Sequence, residues 1–102
     1  MEFIETPTFT RLVLELLEDE DYGKLQATLA NRPDMGRIII GSSGVRKMRW
    51  AGRGRGKRGG LRVIYYWHAT PEIIIFLDIY PKNEKDNLTQ SEIRLLNLLL
   101  ED

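Results

Sequence analysis

The 102-residue chain has no cysteine, a single histidine, and no Asp or Glu anywhere between residues 35 and 71. Each gap removes a class of chemistry. Without cysteine there is neither a disulfide framework nor a thiolate site. A lone histidine, His68, excludes a ribonuclease built on a histidine pair, and its place at a strand end suits a turn or surface residue. Metal-dependent nuclease chemistry needs carboxylate or histidine ligands close to the phosphate, and the 35–71 segment has no carboxylate to give. No apolar run approaches the length that spans a bilayer. The N-terminal "MEFIETPTF" lacks the basic start and apolar stretch of a secretory signal. A soluble cytoplasmic protein is the expectation.

What is present is unevenly distributed. The formal net charge is +0, from 15 basic and 15 acidic residues. Residues 1–34 carry eight acids and three bases, and residues 72–102 carry seven acids and three bases. The middle segment, 35–71, holds nine Lys and Arg. An ordinary solvated face mixes both signs, so an acid-free basic segment points to a polyanion, with nucleic acid foremost. Length and composition (42% hydrophobic, 29% charged) fit one globular domain over 1–102.

The hydrophobic periodicity divides the chain. Residues 2–5 form a short strand. Thr6 and Pro7 read as N-cap and first helical residue, followed by Phe9, Leu12, Val13, Leu16 and Leu17 at helical spacing over 7–17. Asp19 can cap a second helix with Tyr22, Leu25 and Leu29 on one face, ended before Pro33. From residue 37 the period becomes two. "RIII" is a short extended run. "VRKMRWA" places Arg46, Met48 and Trp50 on one face and Val45, Lys47, Arg49 and Ala51 on the other. "LRVIYYWH" and "EIIIFLDIY" are the strongest strands, joined by a short turn at Ala69–Pro71. A register with position sums of 140 sets Leu61, Val63, Tyr65 and Trp67 facing the core with Ile73, Ile75, Leu77 and Ile79. It sets Arg62 opposite Asp78 and Tyr66 opposite Ile74. Thr89 to Glu92 is a capping box ahead of a third helix with Ile93, Leu96, Leu99 and Leu100. The expected fold is α+β, a small twisted antiparallel sheet flanked by helices in the order β-α-α-β-β-β-α.

One stretch, Gly54-Arg-Gly56-Lys-Arg-Gly59, has the spacing G-x-G-x-x-G. A dinucleotide loop follows a strand and opens a helix, whereas this one lies between two strands. A disordered arginine–glycine tail would not be bracketed by strands rich in bulky apolar residues. A basic loop at the rim of a sheet is what remains. Phosphoryl chemistry there would rest on Lys, Arg and Tyr, with arginines stabilising an in-line transition state and lysine moving a proton.

The strand "VRKMR", the strand "KRGGLRVIYY" and the segment "DIYPKNEKDNLT" before the last helix resemble the RelE superfamily. The similarity is greatest to its HigB-like branch, toxins of type II toxin–antitoxin pairs, and covers essentially the whole chain. The resemblance implies a toxin that cleaves messenger RNA in the ribosomal decoding site without metal or cofactor, using the RNA 2′-hydroxyl as nucleophile. It implies a bacterial or archaeal cytoplasmic setting and neutralisation by a cognate antitoxin, of the HigA-like helix-turn-helix kind. Operator DNA would be engaged only through that antitoxin complex, and no membrane is involved. By position, the paired strand bases fall on Lys47 and Arg49, and the arginine opening the next strand on Arg62. The resemblance departs at Asn83, where an arginine follows the lysine corresponding to Lys82, and at Leu88 and Thr89, where a tyrosine is expected. Tyr80 or Lys57 would then share the acid's role. Lys47 or Arg49 would take the 2′-hydroxyl proton, and Arg62 would hold the phosphate. Arg46, Arg53, Arg55, Arg58, Tyr66, Lys82 and Asn83 would contact messenger and ribosomal RNA. Another branch of the superfamily poisons DNA gyrase, and a non-catalytic RNA-binding module would carry the same basic strip.

Overall fold

The computed structural model describes residues 1–51, 60–85 and 87–100. Five strands form one sheet in the order β1-β5-β4-β3-β2, from β1 (Glu2–Glu5), β2 (Arg37–Ile38), β3 (Val45–Trp50), β4 (Leu61–His68) and β5 (Ile73–Pro81). Helices α1 (Pro7–Leu16) and α2 (Asp19–Asn31) cover one face, and α3 (Gln90–Leu100) covers part of the other. The α+β class therefore holds, with two refinements. Arg37–Ile38 counts as a strand of its own, so four strands follow the first two helices. The sheet is antiparallel from β5 to β2, but β1 joins β5 in parallel, with Phe3 beside Ile74.

Burial explains the elements. Phe9 and Val13 of α1 and Leu25 and Leu29 of α2 meet Leu61, Val63, Tyr65, Ile74, Phe76 and Ile79 in the larger core. Phe9 and Phe76 stack with ring centres 4.6 Å apart, and Phe3 covers the other side of Phe76 at 5.8 Å. Offset aromatic stacking of this kind adds specificity to the area buried. Leu96 of α3 rests on Val45, Ile64, Leu77 and Tyr80 on the opposite face. Glu18, without a side-chain cap, takes the N-cap position expected of Asp19, which becomes the first residue of α2.

The hairpin register differs from the expected one. Arg62 pairs with Tyr80, Ile64 with Asp78, Tyr65 with Phe76 and Tyr66 with Ile75, with an irregularity between Ile64 and Tyr65. Leu77 is the extra residue of a β-bulge. Arg62 therefore does not oppose Asp78, and Tyr66 does not oppose Ile74. Past the bulge the alternation inverts, so that Ile74 and Phe76, rather than Ile73, Ile75 and Leu77, point into the larger core. The bulge leaves a carbonyl to be satisfied, and Thr6 supplies the donor. Its hydroxyl donates to the Leu77 carbonyl at 3.1 Å while also capping α1 by accepting the Phe9 N–H at 3.2 Å. The Thr6 N–H donates to the Phe76 carbonyl at 3.0 Å. The start of α1 and the bulge of β5 are thus one hydrogen-bonded unit.

Asp78, next to the bulge, lines a shallow groove beside α3 with Leu77, Leu88, Glu92 and Leu96. Burial pushes its carboxyl above the usual carboxylate range, against the pull of the Ile79 N–H that it accepts at 2.8 Å and of Lys85. A raised folded-state pKa means that the ionised form costs stability at neutral pH, and that the cost disappears where both states are protonated. Asp78→Asn keeps an acceptor for the Ile79 N–H. It is expected to raise Tm at pH 7, with the gain shrinking as pH falls and gone by about pH 3. Thermal unfolding at a series of pH values checks this, and a pH-independent or destabilising effect contradicts it.

Candidate functional site

The face of the sheet that α3 leaves open carries the candidate site. Strand alternation places Lys47 and Arg49 on that face of β3, and Arg62 on the same face of β4. In register, Arg49 stands directly across from Arg62, and Tyr80 flanks Arg62 on its other side. One rung along, Lys47 stands between Arg37 of β2 and Ile64 of β4. Among the described residues, Arg37, Lys47, Arg49 and Arg62, with Met35 and Met48, line an open groove of about 640 Å³. No carboxylate lies among these lining residues.

Like charges directly opposite one another weaken a pair of strands. Arg49 and Arg62 occupy such a pair, and Arg62 is only 3% exposed. Arginine stays protonated under all ordinary conditions. Two guanidinium groups so placed are well suited to holding an anion between them.

Lys47 is held from the segment before α3. Its Nζ donates to Oδ1 of Asn87 at 2.6 Å. That segment is anchored twice. Thr89 and Glu92 form the expected capping box, the Thr89 N–H donating to Glu92 Oε1 at 2.8 Å and the Glu92 N–H to Thr89 Oγ1 at 3.1 Å. Lys85 donates to Glu92 Oε2 and places its ammonium 4.7 Å from the centre of the Tyr80 ring. The Lys85 hydrogen bond, ahead of the Thr89 N–H, holds the Glu92 carboxyl below its usual range.

The structure gathers some of the sequence-predicted residues and separates others. Lys47, Arg49, Arg62 and Tyr80 come together on adjacent strands. Tyr66 lies on the same face but two residues further along β4 from Ile64, half-buried in the α3-side core. Lys82 and Asn83 are exposed in the turn after β5, where the Lys82 N–H donates to the Gly60 carbonyl at 3.0 Å. Arg46 is on the opposite face. Its guanidinium donates to the Gly36 carbonyl at 2.7 Å and the Asp34 carbonyl at 3.3 Å, and lies 5.8 Å from the Trp67 ring centre. Arg53, Arg55, Lys57 and Arg58 lie outside the described residues. His68 is exposed, with Nδ1 2.9 Å from the Pro71 carbonyl oxygen. Arg37 of the groove, and Asn87, which holds Lys47 from outside it, were not singled out from sequence. Arg37 opens the short run "RIII", and Asn87 is a polar loop residue whose partner is 40 positions away.

Among the described residues no group of three His, Cys, Asp or Glu side chains is placed to hold a metal ion. No helix among them is long and apolar enough to cross a membrane. Residues 19–100, from the start of α2 to the end of α3, match the family model described as the RelE toxin of the RelE/RelB toxin–antitoxin system. The match takes in β3, β4, β5 and the whole cationic groove, and the chain belongs to the RelE toxin family.

Proposed function

We propose that the chain is a ribosome-dependent endoribonuclease that cuts messenger RNA in the decoding site, with no metal ion in the reaction. The carrying observation is the opposed pair Arg49–Arg62 beside Lys47, in an open groove whose described lining holds no carboxylate. In this scheme Lys47, reacting as its neutral amine, accepts the proton of an RNA 2′-hydroxyl and becomes the ammonium. The freed oxygen attacks the adjacent phosphorus, and the bond to the 5′-oxygen of the next nucleotide breaks, leaving a cyclic phosphate. Arg49 and Arg62 hold the charge that builds on the phosphate oxygens. Arg49 suits this clamp better than a proton-accepting role, because a guanidinium does not give up its proton. The departing oxygen needs a proton, and Tyr80 or Lys57 supplies it. The hydrogen bond to Asn87 keeps the Lys47 Nζ from swinging away.

Family membership supports the rest of the proposal. The partner is a cognate antitoxin, of the HigA-like helix-turn-helix kind if the HigB-like resemblance holds, and operator DNA is reached through that complex. Messenger and ribosomal RNA meet the basic rim, including Arg53, Arg55 and Arg58, with Lys82, Asn83 and Tyr66 as outer contacts. The setting is bacterial or archaeal cytoplasm.

Cleavage of a defined message on translating ribosomes tests the assignment. Lys47→Ala, at a half-buried polar position, should slow single-turnover cleavage by about 10²–10⁴-fold with thermal unfolding unchanged. Arg62→Ala should abolish cleavage and also lower Tm, since the residue is buried. Arg62→Lys keeps the charge without the fork, and should recover folding more than cleavage. Binding without cleavage by the wild-type chain would make this an RNA-binding module. DNA damage with intact messages would make it a topoisomerase poison.

The metal question is separable. Ribosomes require magnesium for their own integrity, so the expected result is full cleavage on ribosomes kept intact by cobalt hexammine with chelator in excess. Loss of cleavage that only a coordinating divalent ion restores would contradict the mechanism.

A further inference from the structure

The fourth cation of the groove, Arg37, belongs to a two-residue strand at the edge of the sheet. Short edge strands fray, and a frayed arginine would have to be ordered afresh each time a ligand bound. Here the fraying is countered from the far side of the sheet. The fully buried Tyr65 hydroxyl accepts the Gly36 N–H at 2.8 Å and donates to the Pro33 carbonyl at 2.8 Å. The Arg46 guanidinium takes the Gly36 and Asp34 carbonyls. A Cβ on Gly36 would stand 2.9 Å from the Tyr65 ring and hydroxyl, so only glycine lets the turn sit this close. The backbone immediately before Arg37 is thus gripped by two side chains that never reach the groove.

We infer that Arg37 binds the RNA phosphate next to the one that Arg49 and Arg62 hold, and that Tyr65 and Arg46 are its positioning residues. The inference rests on the RNA-cutting proposal for its ligand. Geometry supports the spacing. Arg37 is paired with Lys47, and Arg49 with Arg62, so the four cations form two adjacent pairs on one face. Neighbouring strands lie about 4.8 Å apart, and successive same-face residues about 6.7 Å along a strand. A single strand of RNA crossing this array meets cations at more than one phosphate, as grooves that track a nucleic-acid backbone require. The ion pairs among the described residues, Lys24–Glu20 and Lys85–Glu92, do not involve Arg37, which is exposed and lines the groove.

The test uses bacterial ribosomes programmed with a short defined message, with affinity measured across a range of salt concentrations. Arg37→Ala should weaken binding by about tenfold and reduce the slope of log affinity against log salt by about 0.7, the share of one phosphate on a single strand. Arg37→Lys should keep the slope. Tyr65→Phe changes no charge, yet should also weaken binding, and should add nothing in an Arg37→Ala background. If Tyr65→Phe does not fold, Arg46→Gln asks the same question, since its loss should likewise vanish once Arg37 is gone. An unchanged slope in Arg37→Ala, with the wild type binding and cleaving, overturns the phosphate role of Arg37. Equal weakening with and without Arg37 overturns the positioning role of Tyr65 and Arg46. A wild type that neither binds with salt dependence nor cleaves overturns the RNA-cutting proposal itself.

Discussion

The extra residue at Leu77 is the constraint on which the rest of this fold depends. Strand β5 is paired on both sides and buried on both faces, by α1 and α2 on one and by α3 on the other. A regular strand would present one unbroken alternation along its length. The bulge lets Ile74 and Phe76 serve the larger core near one end while Ile79 serves it near the other. Thr6 makes the irregularity affordable by meeting the bulged carbonyl with the same hydroxyl that starts α1. The shift in register also decides what flanks Arg62, which has a tyrosine beside it in place of a carboxylate.

This also explains which parts of the molecule were legible in the sequence. The face of β3 carrying Lys47 and Arg49 followed directly from alternation, because Met48 and Trp50 occupy the other face and fix the phase. The capping box of α3 was equally local, four residues with one geometry. The segment Ile73–Leu77 carries no such information, being apolar at every position, as strands covered on both faces are. A single inserted residue is invisible in a run of that kind. The arrangement of Arg37 was hidden for a different reason. Its place in the groove depends on a pairing between β2 and β3 and on hydrogen bonds from Tyr65, 29 positions from Gly36. Arg46 shows the converse. Its alternation with Met48 and Trp50 already placed it away from Lys47, and the concentration of charge in the segment obscured that signal.

The larger core lies on one side of the sheet, and Arg37, Lys47 and Arg49 lie on the other, beside the smaller core under α3. The sheet therefore separates the larger core from the groove cations. Lys47 and Arg49 contribute no apolar surface to either core cluster, so their identity is only weakly tied to stability. Arg62, buried against its neighbours, is the point where the two demands meet.

For a member of a toxin family whose toxins pair with an antitoxin, that separation would have a genetic consequence. On the proposed reading, a chain that loses the exposed groove cation Arg49 would lose activity and keep its fold, and with it the surfaces far from the groove. Such a chain would be harmless yet still able to occupy antitoxin molecules. Expressed beside an intact copy, it would sequester the inhibitor and release the active toxin, so that a loss of function in one copy would act as a gain of toxicity in the cell.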